Sequence, residues 1–108
     1  MIARTGGEPA ADLTRLRQGI DDVDARLIAL LGERFGLTRE VGRLKAAHGL
    51  ASRDPSREAS QHARWSTLAA EADVDPALVR DVFDLVLARS VAEHEAAKTA
   101  SGDDAARP

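Results

Sequence analysis

The chain has 108 residues, of which 44% are hydrophobic and 31% charged, with a net charge of -3. That is one domain's worth of soluble, globular composition, and the absence of a dense basic run argues against nucleic acid as a partner. No cysteine is present, which removes disulfide and thiolate chemistry and suits a reducing, cytoplasmic setting. Residues 1–11 read as a disordered lead, with Gly6, Gly7 and Pro9. Their opening, MIARTGGEPA, lacks the apolar core of a signal peptide. No apolar run anywhere approaches the roughly 20 residues that cross a bilayer, so no membrane partner is expected.

The first predicted helix runs from about Asp12, its expected N-cap, to Ala47. Its apolar stripe is Leu13, Leu16, Ile20, Val23, Leu27, Leu30, then Arg34, then Leu37, Val41 and Leu44. Steps of three and four alternate throughout, as in a coiled-coil seam. A rod of roughly 50 Å is too long for two short helices to cover. A second copy of the chain is the natural cover, so an intertwined homodimer is expected. Gly19, Gly32, Gly36 and Gly42 interrupt the rod at a cost of about 1 kcal/mol each relative to Ala. They mark either close helix approach or room for a ligand.

HGLASRD breaks the first helix. Asp54-Pro55 and Asp75-Pro76 then open two more, each with Asp as N-cap and Pro at the first helical position. The second is expected over Pro55 to about Ala72, and the third from Pro76 to about Lys98. The stripe of the third is Val79, Phe83, Val86, Ser90, His94 and Ala97. Trp65 fits the core and His48 a loop; His62 suggests no chemistry. Residues 99–108 read as a disordered tail. The domain is therefore 12–98, all-α, with three helices and no strands.

Polar residues on these stripes are the candidates for function. A buried guanidinium at Arg34 requires an anion, either Asp54 or Glu58 from another helix or a ligand. Lys45 lies eleven residues on, about 20° around the helix and ~16 Å along it. It could lean toward the same anion or simply sit at a favourable helix end. Arg17 is ~25 Å from Arg34 along the rod. It is a solvated surface arginine unless an antiparallel partner chain brings it across. Ser90 can bond back to its own helix, and His94 can be a satisfied helix residue. Arg53, Asp54, Arg57 and Glu58 form either a helix cap with surface ion pairs or a polar lid over a site. No metal-ligand cluster, nucleophile–base pair or phosphate-binding glycine loop is present. Cations, hydrogen-bond donors and two acids suit a small polyanion, and chemistry by positioning and electrostatics.

The segments LRQGIDDVDARLIALLGERFGLTREVGRLK, RDPSRE and FDLVLARSVAEH, in this order and at these intervals, resemble the all-helical chorismate mutases. The resemblance covers roughly Leu13 to Ala97. It implies a three-helix intertwined dimer and the rearrangement of chorismate, a small dianion, to prephenate with no cofactor and no metal. It further implies that Arg17 comes from the partner subunit to grip a carboxylate, and that Arg34 grips another. Lys45 would sit on the ether oxygen and a carboxylate. Asp54 and Glu58 would face the ring 4-hydroxyl with Arg57 beside them, and Ser90 would help hold a carboxylate. Relatives of this type act on 4-amino-4-deoxychorismate or eliminate pyruvate from isochorismate. Others pair with another shikimate-pathway enzyme, so a catalytically silent helical dimer with a docking role is the reading from another class.

At position 94 the family usually has Gln, as a second donor to the ether oxygen, and this chain has His. Neutral imidazole donates one N–H, and protonated imidazole adds positive charge where negative charge gathers. Activity is therefore expected to vary between about pH 5 and 8, the range in which histidines ordinarily titrate. The same rate profile should flatten in His94→Gln; a profile already flat in the native chain and unchanged by the substitution would remove the idea.

Overall fold

The computed structural model describes residues 8–51 and 53–106, with backbone alone from residue 100 on. It is all-helical: α1 is Pro9–Ala47, α2 Pro55–Glu71 and α3 Pro76–Ala106. No strand occurs among the described residues. The chain divides between Gly36 and Leu37 into two units. The first contains the earlier part of α1 alone. The second contains the last three turns of α1 together with α2 and α3.

The helix boundaries follow from local chemistry. α1 starts earlier than Asp12. Pro9 occupies the first helical position, where a missing N–H costs nothing, and Asp12 N donates to Glu8 O at 2.9 Å. Asp12 thus lies inside the first turn and pairs with Arg15 at 3.4 Å instead of capping. Of the expected disordered lead, Met1–Gly7 lie outside the described residues, and Pro9–Ala11 are helix. α1 ends at Ala47 as expected. Gly49 takes φ +67, its N–H reaches Ala46 O at 3.3 Å, and Leu50 N reaches Lys45 O at 2.8 Å. This is the paired C-terminal cap that favours glycine in the left-handed region.

α2 and α3 start where the Asp-Pro pairs place them. The Asp54 side chain accepts from Arg57 N at 3.1 Å, and the Asp75 side chain from Ala77 N at 2.9 Å. α2 closes with the same cap as α1, but with Asp73 at φ 59 in place of glycine. α3 continues eight residues past Lys98 to Ala106, into the expected tail. No proline interrupts it between Pro76 and Pro108, and each residue added to an existing helix gains a hydrogen bond.

α2 and α3 pack around Trp65, Ala69 and Val86, the buried apolar residues among those described. Trp65 stacks on Phe83 with ring centroids 4.4 Å apart and takes the edge of His62 at 5.2 Å. His62 Nε2 also meets Asp84 Oδ1 at 3.1 Å. The α3 stripe faces inward as its spacing predicted from Val79 to His94 but not at its end: Val86 is buried, Val79, Phe83, Ser90 and His94 are half-buried, and Ala97 is exposed. The α1 stripe is different. Leu13, Leu16, Ile20, Val23, Leu27, Leu30, Leu37, Val41 and Leu44 are all exposed in the single chain, Leu16 at 55% and Leu30 at 60%.

Candidate functional site

Within the second unit, the end of α1 faces the middle of α3. On α1, Thr38, Gly42 and Ala46 recur every fourth residue and so share one face of the helix. On α3, Ser90 and His94 do the same. The faces meet in register. The hydroxyls of Thr38 and Ser90 share a hydrogen bond of 3.4 Å, so the Ser90 hydroxyl bonds across to α1. Next along, Gly42 lies against the imidazole of His94. Beside them, Arg39 Nε donates to Glu93 Oε1 at 3.1 Å and Arg89 Nε to Glu93 Oε2 at 3.3 Å. Thr38, Arg39, Gly42, Ser90, Glu93 and His94, with Arg43, Ala97 and Lys98, line a cleft of about 430 Å³. His94 Nε2 is buried and has no hydrogen-bond partner, a costly state for a polar atom that a ligand would relieve.

The start of α2 forms the second cluster. Both bonds to Asp54, from Arg57 N and from Ser56 Oγ at 3.2 Å, end on Oδ1. The Arg57 N–H holds the Asp54 carboxyl below its ordinary range, and the Lys45 charge adds to this. Lys45 is half-buried and acts on the same carboxylate. Arg53 grips Glu58 with two donors, Nε on Oε2 at 3.0 Å and Nη2 on Oε1. That fork lowers the Glu58 pKa and raises that of Arg53. Glu93 is likewise held low, first by Arg39 and then by Arg89.

The structure therefore brings Ser90 and His94 together in one cleft, and Lys45 and Asp54 into electrostatic contact. Asp54 caps its helix and Glu58 is ion-paired, as the cap-and-ion-pair reading of RDPSRE expected, but Asp54 Oδ2 and the remaining lone pairs of Glu58 can still accept. Arg57 is exposed at the same helix start. Arg17, exposed, and Arg34, half-buried, lie on α1 in the first unit. Sequence reasoning missed Thr38 and the Arg39–Glu93–Arg89 network, and left Gly42 unassigned. The readable signal was the run of small residues at 38, 42 and 46, one step off the apolar seam. Among the described residues no group of three or more His, Asp or Glu side chains is placed to hold a metal, and no helix is long and apolar enough to cross a membrane.

Residues 16–95 match the chorismate mutase type II family, and the chain belongs to it. It is 42% identical over 80 residues to the T-protein of Enterobacter agglomerans, covering 74% of this chain and 21% of that protein. It is 32% identical over 84 residues to the 4-amino-4-deoxychorismate mutase of Streptomyces pristinaespiralis, covering 77% of this chain and 65% of that protein. It is 29% identical over 75 residues to the chorismate mutase of Methanocaldococcus jannaschii, covering 69% and 76%. The chain thus spans about a fifth of the length of the T-protein and less than two thirds of the Streptomyces mutase.

The three depressed carboxyls, Asp54, Glu58 and Glu93, set an acid limit. A carboxyl whose pKa is lower folded than unfolded contributes stability that is complete above its unfolded value, near 4, and is lost as pH falls through the folded value. The melting temperature should hold above about pH 5 and decline below about pH 4. Glu58→Gln and Glu93→Gln should each flatten that decline, and added salt should shrink the difference, since these pairs are exposed. Thermal scans across pH for the three chains check this.

Proposed function

We propose that this chain rearranges chorismate to prephenate. One observation carries the reading: the family match spans 16–95, and every candidate residue from Arg17 to His94 falls inside it. The reaction breaks one C–O bond and forms one C–C bond within a single molecule, so no proton, electron or group leaves. Bond breaking runs ahead of bond making, and negative charge gathers on the ether oxygen. An enzyme gains rate here by holding the compact conformer and aiming cations and donors at that oxygen.

In this reading the guanidinium groups of Arg34 and of a partner subunit's copy of Arg17 bind the two carboxylates, with help from the Ser90 hydroxyl. Lys45 and His94 Nε2–H face the ether oxygen. The buried Nε2 with no protein partner supports this, because its desolvation is already complete when substrate arrives. Asp54 Oδ2 and Glu58 accept from the ring 4-hydroxyl, with Arg57 at their side.

A second substrate is favoured by the Streptomyces relative, which is named for the 4-amino analogue. An ammonium at ring position 4 would also suit two acids. Against it, Arg53 already balances the charge of Glu58, which leaves that corner better matched to a neutral hydroxyl. Incubating the purified chain with chorismate, 4-amino-4-deoxychorismate and isochorismate separates the possibilities. Chorismate should be consumed and prephenate formed, and Arg34→Ala should lower turnover by at least about tenfold with helicity unchanged. If none of the three compounds is consumed at high protein concentration, the chain is a silent helical dimer and the proposal is wrong.

The same reading takes the active form to be a homodimer. The exposed seam from Leu13 to Leu44 and the small core of Trp65, Ala69 and Val86 support it, since a long apolar stripe gains about 25 cal/mol per Å² when covered. Sedimentation equilibrium at assay concentrations should give twice the mass of one chain. A monomer that is fully active would sink the dimer and, with it, the role of Arg17 in trans.

A further inference from the structure

We propose that Gly42 is a positioning residue that fixes the His94 imidazole, so that Nε2 is the nitrogen presented to the ligand. The inference rests on the reading above, which gives His94 its task, and it names what holds His94 in place. Four glycines lie within α1. A Cβ built at Gly19, Gly32 or Gly36 would meet nothing within 4 Å, whereas one at Gly42 would lie 2.7 Å from His94 Nδ1 and 3.5 Å from Cγ. Gly42 is also the buried residue of α1. A helix-interior glycine is a standing loss of stability against alanine. At position 42 that loss has a cause in space: any other residue would occupy the volume of the ring.

The contact decides which edge of the ring is used. Nδ1 is the edge turned to α1, against the bare Cα of Gly42. Nε2 is the opposite nitrogen, buried and with no hydrogen-bond partner. A ring in this position cannot retreat from a new methyl group without rotating about its own side-chain bonds, and the rotation carries Nε2 with it. The backbone of both helices can stay where it is. The Thr38–Ser90 and Arg39–Glu93 bonds, up to one turn earlier on α1 and α3, join the two helices independently of the ring. The expected loss from a Cβ is therefore one of aim: the donor moves by a fraction of the ring's width, and catalysis by positioning is sensitive to that distance.

The test is a double-mutant cycle with two readouts, using the whole chain. In steady-state turnover of chorismate, Gly42→Ala should lower kcat by at least about tenfold, with KM less affected. In a His94→Gln background, whose flexible amide can bend around the methyl, the same change should alter kcat by no more than about twofold. Equal losses in the two backgrounds would show that Gly42 serves helix packing and not His94, and would overturn the proposal. The second readout needs no activity. Gly32→Ala, on the face of α1 opposite the seam, should raise the melting temperature, as alanine does in a helix. Gly42→Ala should lower it in the native chain and raise it in a His94→Ala background, where the ring is gone. A rise in both backgrounds overturns the contact. A native chain that consumes no chorismate overturns the function proposed above, and the melting temperatures still decide the role of Gly42.

Discussion

The contact between the end of α1 and the middle of α3 decides which polar residues of those two helices meet. It is a narrow one, made by Thr38 on Ser90, Gly42 on His94 and Arg39 on Glu93. Thr38 and Gly42 stand one helical turn apart on the same face of α1, and Ser90 and His94 one turn apart on α3. None of the three is worth much alone: a neutral hydroxyl pair contributes about 1 kcal/mol, and an exposed ion pair is weakened by solvent screening. Their value is registration. They set how far along α3 the end of α1 lies, and so which polar residues line the cleft between them.

The polar residues of the cleft and those at the start of α2 are held by short-range partners within the chain, which prearranges charge. Glu93 ties Arg39 and Arg89 together, Arg53 occupies Glu58, and the Arg57 N–H occupies one oxygen of Asp54. Lys45 closes α1, where the helix end favours a cation, and its charge reaches the Asp54 carboxylate across the turn. Such fixed charges need not reorganise when charge moves in a substrate. This agrees with the family to which the chain belongs, and with a reaction that asks for positioning and not for a nucleophile.

The α1 seam shows the opposite balance. Its leucines are spaced for a packed interface, yet they stand exposed, while the buried apolar side chains among the described residues are Trp65, Ala69 and Val86. The α2–α3 pair, with its stacked Trp65 and Phe83, is the better-packed part of the chain. Most of the large apolar residues of α1 therefore stand on one uncovered stripe of the single chain.

Much was legible in the sequence, and the reasons are local. Asp-Pro pairs at 54–55 and 75–76 mark helix starts because the cap and the proline act on the backbone beside them, and Gly49 marks a helix end for the same reason. The inward stripe of α3 follows from its period. Where the sequence misled, at Asp12 and beyond Lys98, a nearby proline or the lack of one outweighed a plausible cap or a polar composition. The candidate residues at 34, 45, 90 and 94 stood out as polar groups on apolar stripes. What only the tertiary structure decided was which of them meet and what each meets. Ser90 found Thr38, His94 found the bare backbone of Gly42, and Glu58 was already taken by Arg53. Helix period fixes the face on which a residue stands, but the axial register and rotation of one helix against another come from packing across the whole interface, and no short stretch of sequence encodes them.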